Sequence, residues 1–304
     1  MIQIGTATRA IIISLVALVL FDLMGLIIKH LSPQYSAAEL SAYRNIFGVI
    51  PTAIALWSSR DWHKSGRKIR VRQKFLVCFR GVIVTFAQLM FYLSLGRIAF
   101  ATASTITYSG ALFTTVFAVL ILNERVGVVR WGAVLVGFVG VLMVMGFGGG
   151  DFTWDAVLPL GAAVLYALTS VTARLVDDDV PTALINLYST LIAVVGSGLI
   201  VLFFGGFSPL QSLTDFFWVL AMGSIGGTAV LCLIIAYRMT EQSNLAPFSY
   251  FGIPIAFFFG WLFYGEAPIN DLFPGALLIA IGGLMVIWRE RQITRRAKAS
   301  AGSS

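Results

Sequence analysis

The chain has 304 residues, 58% of them hydrophobic and only 12% charged, and its mean hydropathy is +0.90. A water-soluble domain carries about 25% charged residues, so this composition excludes one and makes the lipid bilayer the solvent. The net charge of +7 would suit a nucleic-acid binder, but the basic residues lie in short loops and at the C-terminal end rather than on one folded face, so no nucleic-acid partner is expected.

A bilayer core about 30 Å thick requires about twenty apolar residues per helix. Ten runs meet that length, near 10–31, 37–57, 74–95, 101–122, 129–147, 155–176, 182–204, 214–237, 245–264 and 271–289. The first run follows Arg9 and resembles a secretory leader, but it holds Asp22 and is followed by no clear small-residue cleavage site, so it is expected to stay as a helix. With the N-terminus in the cytoplasm, seventeen basic residues fall on the inner side, seven of them between Arg60 and Lys74, against Lys29 and Arg97 on the outer side. The positive-inside rule then places both termini of this multi-pass membrane protein in the cytoplasm.

Asp22 in helix 1 and Arg44 in helix 2 are the two charges that lipid tolerates least. They lie about twelve and about ten residues from the intervening turn, within about 3 Å of one depth at 1.5 Å per residue. Two readings are open. One is a buried ion pair locking helix 1 to helix 2, with Glu39 as a competitor for Arg44. In the other, a zwitterionic solute sets its carboxylate on Arg44 and its ammonium on Asp22, Asp22 also being the candidate to take up a proton.

Further along, Cys78 and Cys232 fall inside apolar runs and are expected as free, buried thiols. Gln88 and Tyr92 lie in helix 3, Tyr108 in helix 4, Tyr166 in helix 6, Asn186 in helix 7 and Tyr250 in helix 9. A hydroxyl or amide in lipid needs a partner, so these side chains should face the interior, as cavity lining or as bonds to a neighbouring helix. The outer half of helix 4, from Ala101 to Gly110, is rich in small residues, which allow close helix packing. Pro247 and Pro254 remove backbone donors in helix 9 and are its candidate kinks, with a packing bend and a site-lining break both consistent. Glu124 and Glu266 stand at helix ends, as caps or as proton sites. Trp57, Trp62, Trp131, Trp154, Trp218 and Trp288 fall near helix ends as interfacial anchors.

The chain is written twice. An offset of 142 puts Tyr108 on Tyr250, Gly110 on Gly252, Glu124 on Glu266 and Gly140 on Gly282, and an offset of 145 puts Leu20 on Leu165, Lys29 on Arg174 and Tyr43 on Tyr188. Five helices per copy is an odd number, so the second copy enters the membrane from the opposite side. The expected fold is an all-α membrane protein of ten transmembrane helices, two inverted five-helix repeats over 1–150 and 151–290 with a basic, disordered tail at 291–304. Inverted repeats of this kind place a small-molecule site near the midplane between the halves.

The segments "LNERVGVVRWGAVLVGFVGVLMV" and "YGEAPINDLFPGALLIAIGGLMV", each after an apolar run with Gly behind an aromatic pair, resemble the EamA-type carriers of the drug/metabolite transporter superfamily. The resemblance covers nearly the whole chain. It implies export of amino acids, other small metabolites or drugs across a bacterial inner membrane. Size and aromatic content are similar to the YddG-type aromatic amino-acid exporters within that superfamily. The second copy departs from the first at Pro247 and Pro254, where the first has Thr105 and Leu112. Other classes fit less well. His30 and His63 lie near a helix end and in a loop, away from the mid-membrane positions of haem ligands. Lys29 and Lys74 are near helix ends, unlike a retinal lysine. No metal cluster or nucleophile with its base is apparent, so an intramembrane enzyme ranks third and a channel second. A carrier of amino acids or similar metabolites is the expectation, without a bound cofactor and with a proton as candidate coupling ion. The sequence sets no oligomeric state.

Overall fold

A long apolar segment folds as a helix in lipid because every backbone N–H and C=O then finds its partner within the segment. The computed structural model of the chain describes residues 6–59, 62, 63, 66, 73–123, 127–147, 152–173, 175, 182–239, 245, 248–286 and 288. Glu124, Pro247, most of the basic loop after Arg60 and the tail lie outside the described residues. The first half contains α1 (Thr6–Leu31), α2 (Ala37–Trp57), α3 (Lys74–Leu95), α4 (Phe100–Tyr108), α5 (Gly110–Leu122) and α6 (Val128–Val144). A single 3₁₀ turn at Trp154–Ala156 leads into the second half: α7 (Val157–Ala173), α8 (Thr182–Phe203), α9 (Leu213–Met239), α10 (Gly252–Tyr264), the short α11 (Ile269–Leu272) and α12 (Gly275–Val286).

Among the described residues six helical stretches are long and apolar enough to cross a bilayer, α4 and α5 counting as one, and three shorter apolar helices accompany them. The exception is α2. It has full length at 21 residues, yet buries Glu39, Ser41, Arg44, Asn45 and Thr52. A polar stripe turned inward is affordable only where the protein interior receives it.

The fourth span of each half is broken at one point of the repeat. In the first half, α4 ends at Tyr108 and α5 begins at Gly110; in the second, α10 begins at Gly252 after Tyr250 and Phe251. Pro254 is the third residue of α10, in the first turn, where a missing N–H breaks no helix bond but the ring excludes continuation back through Tyr250. The first half reaches the same break without proline. There the Ser109 hydroxyl donates to the Ile106 carbonyl at 2.5 Å, and the Leu112 N–H turns back to Ser109 O at 2.8 Å, closing tight three-residue turns.

The principal helix contacts keep their pattern when the halves are exchanged. α1 lies on α9 as α7 lies on α3; α2 lies on α9 as α8 lies on α3; α2 meets α8, and α4 meets α10. This is the pattern of a two-fold relation between inverted repeats, with α2 and α8 at its centre. α6 and α12 touch backbone to backbone along most of their length. A Cβ on Gly140 would stand 2.6 Å from Gly275 O, and one on Gly282 would stand 2.6 Å from Ala133 O. Glycine is therefore required at both members of that repeat pair.

Three local expectations change. Cys78 is free but exposed, on the outward side of α3, and Cys232 is only partly buried. Trp62 is buried, packed with Leu56, Val77 and Leu184, whereas Trp57, Trp131, Trp154, Trp218 and Trp288 are exposed as anchors should be. The last span starts at Gly275 instead of residue 271, because Pro274 forces Phe273 into extended backbone (φ −103°, ψ 137°).

Candidate functional site: a polar cavity between the halves

Asp22, Arg44, Gln88, Tyr92, Tyr108 and Tyr166 line one cavity of about 420 Å³ between the halves. Tyr250 does not. It packs with Ile253, Leu272 and Ile279, its ring over Gly283, so it faces the protein interior but away from the cavity. Calling the face at which α1 begins the near face, the cavity is floored on the far side by Phe100, which is 1% exposed and lies over Gly25. Towards the near face its walls become the Arg80, Thr169 and Asn186 side chains and the exposed Ser170.

A hydrogen-bonded hub fixes the wall between α2 and α3. Asn45, wholly buried, donates from Nδ2 to Gln88 Oε1 at 2.9 Å, with longer contacts to Ala193 O and Ser197 Oγ at 3.4 Å. Its Oδ1 accepts from Arg44 Nη1 at 3.1 Å. The hub ties α2 to α3 and α8 and aims the Arg44 guanidinium. Asp22 and Arg44, both more than nine-tenths buried, do not form an ion pair. Asp22 Oδ1 accepts a long hydrogen bond of 3.4 Å from the Tyr108 hydroxyl. Glu39 does not compete for Arg44. It closes the capping box of α2, accepting from Ser36 N and Oγ at 2.8 Å, and receives Ser208 N at 2.6 Å.

Eight described buried side-chain polar atoms lack a protein partner, and six belong to cavity-lining residues: Asp22 Oδ2, Arg44 Nε, Arg80 Nε, Tyr92 OH, Ser104 Oγ and Ser189 Oγ. Buried polar groups in folded proteins are normally satisfied, so their concentration on one cavity marks a place where a polar ligand or water completes them. Arg80 and Asn45 were not singled out from the sequence. The signal for Arg80 was present, a guanidinium seven residues into an apolar run, the same criterion that selected Arg44. Asn45 had no signal beyond adjacency to Arg44.

The far face is closed by polar contacts. Lys29 Nζ meets Glu266 Oε1 at 2.5 Å and donates to Ile98 O at 3.1 Å, and Glu266 Oε2 accepts the Phe100 N–H at 2.8 Å. Glu266 thus caps α4, across the fold, rather than the helix that follows it. The Ala99 cap of α4 offers no side-chain acceptor, and the N–H end of that helix, unsatisfied within the helix, attracts a carboxylate. Tyr264 OH to Leu26 O and Tyr35 OH to Asp215 Oδ2, both 2.8 Å, and the exposed Arg97–Asp155 pair, also 2.8 Å, stitch the same face.

Comparison with known proteins agrees with this architecture. The S-adenosylmethionine uptake transporter of Rickettsia conorii is 23% identical over 289 residues, 94% of this chain and 95% of that protein. The pseudopaline exporter CntI of Pseudomonas aeruginosa is 25% identical over 278 residues, covering 91% and 93%. The riboflavin transporter of Rhizobium johnstonii is 29% identical over 195 residues, and the chain spans 64% of its length. A solved structure matches with a TM-score of 0.65 at 19% identity, over 93% of this chain and 98% of that one, a likeness of fold. The EamA-like transporter family matches residues 8–146 and again 153–288, so nearly every residue of both halves is accounted for, and the chain belongs to that family.

Proposed function

We propose that this chain is a secondary carrier of the bacterial inner membrane, with both termini cytoplasmic, that exports small zwitterionic metabolites, amino acids foremost, by alternating access between its halves. The observation that carries the reading is the pair of opposite charges, Asp22 and Arg44, buried on one cavity with Oδ2 and Nε left unpartnered. A lone charge at the centre of a membrane helix costs about 2.5–3.5 kcal/mol, and two that do not neutralise each other suit a solute that brings both counter-charges. The relatives named above carry riboflavin, S-adenosylmethionine and pseudopaline by name, in both directions, so the cargo is argued from the cavity.

With the termini inside, the near face is cytoplasmic, and the cavity loads from the cytoplasm while the Lys29–Glu266–Phe100 contacts hold the far side shut. Export then requires those contacts to part and Phe100 to leave Gly25. The aromatic walls, Phe21, Phe91, Tyr92 and Tyr166 among them, favour an amphipathic side chain. The test is efflux from proteoliposomes loaded with a panel of labelled amino acids, at imposed and collapsed proton gradients. Expected is saturable release of unchanged solute from the wild type, reduced by Asp22→Asn and by Arg44→Gln. Strictly linear flux would replace the carrier with a channel, and a chemically altered product would replace it with an enzyme.

A further inference from the structure

We infer that Arg80 is a second anion-recognition residue and that the preferred solute carries, beyond its amino-acid group, a distal carboxylate. The inference rests on the amino-acid reading above and concerns the other end of the same cavity. Arg80 lies eight residues before Gln88 on α3, which is about 12 Å nearer the near face at 1.5 Å per residue. Gln88 is held by Asn45, the neighbour of Arg44, so the two cavity guanidiniums sit at different levels along the transport axis.

The Arg80 side chain is oriented and only partly used. Its Nη1 donates to Thr169 O and to Thr172 Oγ1, the latter at 3.3 Å, which fixes the planar group against α7. Its Nε is buried without a partner. A guanidinium has five N–H donors in a rigid fork suited to a carboxylate, so the contacts to α7 leave donors for a ligand. The surrounding wall supplies Ser189, Thr190 and Asn186, and the Ser189 hydroxyl also lacks a partner.

Charge decides between a strut and a binding group. Among the described lining residues the cavity holds two arginines and one acid, Asp22. A zwitterion satisfies Asp22 and Arg44 and leaves Arg80 with no counter-charge among the described residues. A helix strut between α3 and α7 needs hydrogen bonds to Thr169 and Thr172 but no charge, and a neutral side chain would make it at lower cost. A solute with a second carboxylate on a spacer, chain or ring, supplies the missing counter-charge and fits between aromatic walls.

The test measures binding to the purified full chain with para-carboxy-L-phenylalanine, its neutral isostere para-carbamoyl-L-phenylalanine, and para-carboxyphenylpropanoate, which lacks the amino group. The wild type should bind the carboxy compound at least about tenfold more tightly than the carbamoyl one, as one charge-assisted hydrogen bond implies. Arg80→Gln should remove that preference by weakening only the carboxy compound. Thr172→Val, which takes one contact from the strut and leaves the charge, should keep it. Equal affinities in the wild type, or equal weakening of both amino acids by Arg80→Gln, would overturn the inference while leaving the amino-acid reading intact. Failure of both amino acids to bind would overturn the amino-acid reading. In that event the propanoate decides: binding that Arg80→Gln weakens upholds Arg80 as the anion site, and no binding, or binding that ignores Arg80, overturns it. Should Arg80→Gln fail to fold, the wild-type ratio still decides.

Discussion

Asp22 and Arg44 sit on one cavity without pairing, so their two mutants should not rescue each other. Asp22→Asn and Arg44→Gln are each expected to lower transport about tenfold or more at equal expression, the worth of a buried charge-assisted hydrogen bond. The double mutant should fold and stay inactive in a vesicle flux assay. Recovery in the double mutant would mean that the charges serve each other after all. Asn45 is expected to behave differently. Asn45→Ala leaves Gln88 Oε1 with only the long 3.4 Å hydrogen bond from Ser41 Oγ and frees the Arg44 guanidinium, so it should lower the unfolding midpoint, by about 1–3 kcal/mol of stability, as well as transport. At this scale the sequence was informative about depth and silent about direction. Polarity at membrane depth put Asp22, Arg44, Gln88, Tyr92, Tyr108 and Tyr166 on one list with Tyr250, because the rotation of a helix about its axis decides which of them meets the cavity, and an apolar helix has no polar face to announce that rotation.

In the proposed cycle the broken fourth span is the element on which access would turn. α4 begins at Phe100, whose N–H is held by Glu266 and whose ring floors the cavity, so the far-face contacts and the cavity floor move as one piece. Lys29→Gln or Glu266→Gln should therefore shift the protein towards the far-open state. A cysteine placed at Ser104 should then react faster with a membrane-impermeant maleimide from the far side, while unchanged labelling would separate the contact from gating. The crossing of α6 and α12 is a fixed element. Gly140→Leu must push against Gly275 O and the Ile279 backbone, neither of which can rotate away, and should cost about 3 kcal/mol and most of the expressed protein. The repeat of Gly140 and Gly282 was legible because packing glycines recur at the spacing of the duplication. The break at Ser109 was not. Pro254 advertised its counterpart, whereas a serine that bonds back to Ile106 looks the same in sequence as one that faces a neighbouring helix.

For the whole molecule, duplication was the strongest signal, since an odd number of helices per copy implies inversion before any contact is known. The exchange-invariant packing of α1 on α9 and α7 on α3 follows from that count. The basic-residue bias adds orientation: a reporter active only in the cytoplasm should work when fused after Ser304 or near Lys64 and fail near Gly150. The shape of the cavity was beyond the sequence, because it depends on how far the far-face contacts draw the halves together. The central claim, a carrier that exposes one zwitterion site to alternate sides, is tested most directly by counterflow. Proteoliposomes preloaded with unlabelled amino acid and placed in a trace of the labelled compound should accumulate label transiently above equilibrium, and Arg44→Gln vesicles should not. Label that only approaches equilibrium, at a rate indifferent to the internal amino acid, would contradict a carrier and the site assigned to it.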